Sequence, residues 1–142
     1  MDLDFAKARY RDSLADLKQR FGLDGVYVAN APSFTGSVGV LVDNLGPWFG
    51  GLEVRDLGTY PVSDGDQYPQ DKGYTEVNFD AGYRLSARLK LQLSIFDLLN
   101  TRANAAAYYY TSRLIPAGPE VTGLQVHPLE PISARLMMSA SF

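Results

Sequence analysis

The residues of this chain that could do chemistry are few, and their spacing suits binding better than catalysis. The single His, His127, stands three residues before Glu130. Two candidate ligands set between Pro128 and Pro131 fall short of the three or four protein ligands a zinc site uses. With no Cys in the chain, there is no disulfide, no thiolate metal ligand and no Cys nucleophile. A Ser nucleophile would need His127 as its base, and that residue sits in a Pro-bounded segment. Asp and Glu are frequent, but no pair has a recognisable catalytic arrangement. The glycines Gly36, Gly39, Gly50 and Gly51 lack phosphate-loop spacing. No enzyme activity, metal or cofactor is therefore expected. What remains is the run Tyr108, Tyr109 and Tyr110, followed by Arg113 and, further on, His127. Tyr offers large contact area at low entropic cost, so this set is the candidate for ligand contact. The same rings suit an interfacial aromatic belt or packing of the segment on itself. Alternation sends Tyr109 opposite to its two neighbours, so one role cannot serve all three.

The elements that must position these residues follow from composition and pattern. The 142 residues are 46% hydrophobic and 20% charged with a net charge of -3. That is too apolar for intrinsic disorder and too acidic for broad nucleic-acid binding. Thirteen Gly, nine Tyr and seven Phe favour strands and tight turns over a helical bundle. Met1-Asp2-Leu3-Asp4 is acidic and no apolar segment follows it, so no signal peptide opens the sequence. The apolar runs are far shorter than the roughly 20 residues of a membrane-spanning helix, which leaves strands as the one means of crossing a bilayer.

Alternation dominates from Ser33 onward. Phe34, Val38, Val40 and Val42 share a face opposite Thr35, Ser37, Gly39 and Leu41, and a turn follows at Asp43 to Pro47. Trp48 to Tyr60 reads as the next strand, with Leu52 and Val54 opposed to Glu53 and Arg55. Pro61 to Gly73 is a polar loop. From Tyr74 to Leu85, Val77, Phe79, Ala81 and Tyr83 oppose Glu76, Asn78, Asp80 and Arg84. Ser86-Ala87 turns the chain into Leu89, Leu91, Leu93 and Ile95, which alternate with Lys90, Gln92 and Ser94, giving a hairpin. Thr101 to Pro131 is a long connection. Ile132 to Phe142 then sets Ala134, Leu136, Met138, Ala140 and Phe142 against Arg135, Met137, Ser139 and Ser141. In the first 22 residues, Ala6, Tyr10, Leu14, Leu17 and Phe21 recur at helical spacing, whereas Asp4, Ala6, Ala8 and Tyr10 fit a strand.

Connections run long, short, long, short, long, as in up-and-down membrane barrels with tight turns at one end and longer loops at the other. Such a barrel turns its apolar face to lipid. Its polar face, here Glu53, Arg55, Glu76, Asp80, Arg84, Lys90 and Arg135, lines a wet lumen or forms mutually paired, solvated charges. A soluble antiparallel sheet with one face on a core produces the same alternation. Pattern leaves both readings open.

Several stretches resemble the C-terminal part of the barrel of TonB-dependent outer-membrane receptors. They are Asn30-Ala31-Pro32-Ser33-Phe34-Thr35, Gly46-Pro47-Trp48-Phe49-Gly50-Gly51, Gly73-Tyr74-Thr75-Glu76-Val77-Asn78 and Ile95-Phe96-Asp97-Leu98-Leu99-Asn100-Thr101. In the last, Asp97 stands where the family usually has Asn. Tyr108 to Leu114 and His127 to Pro131 look like the family's last extracellular loop, with Leu114 to Pro119 longer than the usual form. The terminal Phe142 is similar to the aromatic read by the barrel-assembly machinery, although Ala140 stands where a second aromatic is common. The resemblance implies an all-β fold: an antiparallel up-and-down meander of about six strands across residues 1–142, an incomplete segment of a transmembrane β-barrel. It makes Asp2 to Asp12 the first strand and Ser13 to Ala31 an extracellular loop with a helical turn. It also implies that the plug domain, TonB box and signal peptide are absent, since such plugged transporters have about 22 strands. The implied partners are outer-membrane lipid, the assembly machinery through the C-terminal strand, the rest of the receptor, and TonB only through the missing plug. The implied location is the bacterial outer membrane, and the implied activity of the intact receptor is uptake of a scarce nutrient such as a siderophore, vitamin or sugar.

Overall fold

A computed structural model describes residues 2–65, 70–113, 115–116 and 118–141. In chain order the elements are β1 (Asp2–Phe5), α1 (Leu14–Phe21), β2 (Phe34–Leu45), β3 (Trp48–Leu57), β4 (Tyr60–Pro61), β5 (Gln70–Asp71), β6 (Tyr74–Arg84), β7 (Leu89–Phe96), β8 (Asn104–Ser112), β9 (Val121–Pro128) and β10 (Ser133–Ala140). β1, β2, β3, β6, β7 and β10 form one six-stranded antiparallel sheet in that spatial order, with β1 and β10 at its open edges. The two small hairpins, β4–β5 and β8–β9, are insertions within long connections. The expected meander of about six strands is what forms.

Register keeps the two faces distinct across the whole sheet. Val54 opposes Val77, Leu52 opposes Phe79, Phe79 opposes Ile95 and Leu93 opposes Leu136. On the other face Arg55 opposes Glu76, Asp80 opposes Ser94, and Ser94 opposes Arg135. Because side chains alternate with period two, a slip of one residue would mix the faces, so this pattern specifies the register.

Short turns gather at one end of the sheet. Gly46, in the left-handed region at φ 63°, and Pro47 join β2 to β3, and residues 85–88 join β6 to β7. The long connections meet at the opposite end and pack on each other. There Tyr60, Val62 and Ala107 form a buried cluster with Leu57 and Tyr109 against it. Tyr109 N–H donates to the Val62 carbonyl (3.2 Å), Asn30 N–H to the Pro61 carbonyl (2.8 Å), and Asp24 N–H to the Asp64 carboxylate (2.6 Å). Gly73 returns the chain to β6 at φ 69°, and a Cβ there would lie 1.8 Å from the Leu57 carbonyl oxygen, so only glycine fits.

Local differences from the sequence pattern have physical causes. The helical spacing of the first 22 residues yields both a strand and a helix, split by position. Asp2–Phe5 pairs with β2, and α1 is capped by Ser13, whose Oγ accepts from Asp16 N–H, and ended by Gly22 at φ 69°. The expected strand to Tyr60 ends at Leu57; Gly58 N–H still donates to the Phe34 carbonyl and Thr59 accepts from Ser33 N–H before Tyr60 enters β4. The long 101–131 connection contains the β8–β9 hairpin, built by β-favouring Tyr, Thr and Val residues that the prolines at its ends leave free to pair. Phe142 lies outside the described residues, as does Leu114 of the proposed loop motif.

Candidate functional site

The polar face of the sheet carries all seven charged residues expected to line a lumen. Glu53 and Arg55 pair at 3.2 Å on β3, both largely solvent-accessible. Glu76 stands opposite Arg55 on β6. These two join Asp2, Asp4, Ser37 and Tyr74 around a pocket of about 300 Å³ near the loop end. Asp80 accepts hydrogen bonds from Gln92 (3.0 Å) and from Ser94, across β6 and β7. Arg135 lies over the Phe96 ring, 5.4 Å from its centroid. At the short-turn end Arg84 bonds Asp43 at 2.7 Å, lies 4.8 Å over the Phe49 ring, and stands opposite Lys90. Phe49 in turn covers Gly82, where a Cβ would lie 2.1 Å from a ring carbon.

The opposite face is apolar over most of its height; near the loop end it also carries Asp56 and Thr75, whose hydroxyl donates to the Asp56 carboxylate. Trp48 and Tyr83 meet edge to face (centroids 4.7 Å apart) at the short-turn end, and Phe5 and Phe34 meet at 4.7 Å at the loop end. Between them lie Val38, Val40, Leu52, Val54, Val77, Phe79, Leu91, Leu93, Leu136 and Met138. Among the described residues, none of the sheet's hydrophobic side chains is buried; Leu136 is 69% and Met138 68% exposed. The buried hydrophobic residues, Leu17, Tyr60, Val62 and Ala107, all belong to the long connections. The sheet therefore has no core of its own.

The expected ligand-contact set divides. Tyr108 and Tyr110 point to the exposed face of the β8–β9 hairpin, and Tyr109 packs inward on the Tyr60–Val62–Ala107 cluster. His127 shares the Tyr108 face, opposite Ala106, with its Nδ1 3.1 Å from the Pro128 carbonyl oxygen. Arg113 is at the far end of the hairpin, where it pairs with Glu120 at 2.7 Å and donates to the Pro116 carbonyl. Tyr108, Tyr110 and His127 thus form one surface, and Arg113 closes the hairpin tip. No group of three or more His, Asp or Glu gathers to hold a metal ion among the described residues.

Two features of the loop end have roles that the sequence pattern does not show. Asp97 is 3% exposed at φ 47°, and its carboxylate accepts from Thr101 N–H at 2.7 Å. Its own N–H donates to Asn78, Leu98 N–H donates to the Val77 carbonyl, and Asn100 accepts from Ile132 N–H. The Asp97–Thr101 turn thereby ties β7 to both its neighbours. The run of residues was visible as a motif, but its tying role needed the register. Burial raises the Tyr60 hydroxyl above its ordinary pKa, helped by the nearby Asp71 carboxylate and partly opposed by the Ala107 backbone.

No family model, curated protein or solved structure matches this chain.

Proposed function

We propose that the chain is a C-terminal wall segment of a TonB-dependent outer-membrane receptor, with its apolar face in lipid and its polar face in the lumen. The observation that carries this reading is the single open sheet whose apolar face, bounded by aromatics at both ends, has no protein layer over it. Water is a poor neighbour for such a face: each large aliphatic side chain loses about 1.5–3 kcal/mol of transfer free energy by staying exposed. Hydrocarbon is a natural one. The 12-residue β2 is roughly 36–40 Å long at about 3.3 Å per residue and rises roughly 25–28 Å when tilted near 45°. That matches the roughly 25 Å apolar band of outer-membrane barrels.

Trp48 and Tyr83 then sit in the interfacial girdle on the short-turn, periplasmic side. The interlocked long connections are extracellular and present Tyr108, Tyr110 and His127 to the medium. Glu53, Arg55, Glu76, Asp80, Arg84, Lys90 and Arg135 supply the lumen wall, and Phe142 supplies the mark for barrel assembly. The free edges of β1 and β10 pair with the remaining strands of the receptor, because unpaired backbone groups in lipid cost several kcal/mol each. The intact receptor takes up a scarce nutrient by plug rearrangement driven through TonB, and this segment contributes wall and loops to that cycle.

Export of the chain into the periplasm of a Gram-negative host tests the reading. Copies of the chain can pair β10 of one with β1 of the next, so recovery in the outer-membrane fraction as an oligomer released only by detergent is the expected result. Recovery as a monodisperse monomer without detergent would instead support a small soluble β-sheet domain that binds a ligand.

A further inference from the structure

The long connections meet around a small pocket of about 210 Å³ that the receptor reading does not use. Its walls come from the segment before β2 (Asn30 and Pro32), from the end of β3 with β4 (Leu57 and Tyr60), and from the start of β8 (Ala106 and Tyr108). β8 carries a bulge here. Asn104 opposes Pro128 and Ala106 opposes His127, so Ala105 is an extra residue, and it too lines the pocket. Bulges of this kind re-aim side chains beside binding sites. Asn30 stands exposed at the rim, at φ 59°, and its N–H donates to the Pro61 carbonyl (2.8 Å). Tyr109 N–H donates to the Val62 carbonyl (3.2 Å), which fixes β8 against the Tyr60 segment. Backbone hydrogen bonds therefore tie all three walls together.

Tyr60 is the informative wall residue. It is 5% exposed, and its hydroxyl is buried with no hydrogen-bond partner. The Ala107 backbone stands close enough to influence its ionisation but outside hydrogen-bonding geometry. A buried tyrosine hydroxyl usually finds a partner, because an unmet one costs the fold its desolvation. The pocket that Tyr60 lines is large for a single water, whose share of liquid volume is about 30 Å³. It is small against the roughly 300–1,000 Å³ of pockets for drug-sized ligands, so it admits one small ring. None of its lining residues is charged. Asp71, opposite Tyr60, accepts from the Asn104 amide (2.8 Å) and disfavours an anion at this place. A bare aromatic ring would fill the apolar walls and leave the Tyr60 hydroxyl unmet. A neutral ring with hydroxyls on its rim satisfies both.

We propose that this pocket binds a single neutral sugar ring. The Tyr60 hydroxyl and the Asn30 amide bond ring hydroxyls, and the Tyr108 ring lies against a C–H face. Tyrosine suits this work because it brings a broad, rigid, amphipathic surface at low entropic cost. Tyr108 is 48% exposed and stands at the mouth of the pocket. On the receptor reading the pocket faces the medium, but its chemistry does not rest on that reading. Failure of either leaves the other standing.

The test mixes the full chain, folded in a detergent without a sugar headgroup, with glucose, galactose, mannose or N-acetylglucosamine. Saturation-transfer NMR reads contact, and the unfolding temperature reads coupling to the fold. At least one sugar is expected to give saturable transfer and to raise the unfolding temperature. Tyr60→Phe should weaken that sugar about threefold to tenfold, the range for one lost neutral hydrogen bond. Tyr108→Ala should weaken it more than Tyr60→Phe does. Both variants keep the fold, since Tyr108 is on the exposed hairpin face and Tyr60→Phe retains the packed ring. Without sugar, Tyr60→Phe should unfold at the parent's temperature or above it, because the lost hydroxyl had no partner. A lower temperature would give that hydroxyl a partner other than a ligand and overturn the proposal. So would no saturable transfer from any of the sugars, equal affinity in the parent and both variants, or saturable binding of catechol in place of the sugars.

Discussion

At the scale of single residues, the sharpest constraints are steric and polar. Phe49 lies over Gly82 so closely that any side chain at 82 must displace the ring. Gly82→Ala is expected to cost about 1–3 kcal/mol, the usual range for forced overpacking. The Gly82→Ala/Phe49→Ala pair should be strongly non-additive in urea unfolding, because the second change removes the clash. Additive losses would place Phe49 elsewhere. Asp97 is buried, left-handed and an acceptor for Thr101 N–H. Asp97→Asn keeps an acceptor and a residue tolerant of positive φ, so it should cost under about 1 kcal/mol; Asp97→Ala loses both and should cost about 2–3 kcal/mol. Tyr60 gives the pH dependence. Its folded pKa lies above the unfolded value near 10. The neutral phenol's contribution is therefore fully present below about pH 10 and is lost as pH rises through the folded pKa. Tyr60→Phe should flatten the alkaline fall in the stability of the loop cluster, read by protection of the Tyr109 amide from exchange.

Elements divide into a sheet that the sequence wrote plainly and connections that it did not. Two periods of information overlap in the sheet: alternation selects the faces, and turn residues at Gly46-Pro47 and Ser86-Ala87 select the neighbours. The two hairpins follow from those signals, and alternation alone assigns the polar set from Glu53 to Arg135 to one face; the β1–β2, β3–β6 and β7–β10 pairings, joined through long connections, do not follow from them. The β8–β9 hairpin was hidden because four prolines and the wide gap to β7 gave its strands no partner of obvious register. The division of the tyrosines was legible from alternation, but the surface that receives Tyr109 was not, since Tyr60 and Val62 come from a different connection. Packing makes a direct prediction here. Tyr109→Ala should undock the hairpin and raise proteolysis at the loop end, whereas Tyr108→Ala and Tyr110→Ala should leave protease resistance unchanged. Equal sensitivity of all three would contradict the inward placement of Tyr109.

For the whole molecule, the deciding fact is where the hydrophobic side chains are. A soluble sheet of this size buries one face; among the described residues, this one has buried side chains only in its connections. No helix is long and apolar enough to cross a membrane among the described residues, and in the proposed receptor wall the strands do the crossing. Mid-height charge on the apolar face should then be costly: Leu93→Lys is expected to destabilise the membrane-folded chain by about 2–4 kcal/mol, and Gln92→Lys on the polar face by little. The most direct measurement of the central claim uses the single tryptophan as a reporter. In a Trp48→Phe background, Leu93→Trp and Gln92→Trp place one indole at the same height on opposite faces. In vesicles whose lipids carry bromine deep in the acyl chains, Leu93→Trp should be strongly quenched with blue-shifted emission, and Gln92→Trp should be spared. Equal quenching of the two, or none of either, would contradict a wall with lipid on one side and water on the other.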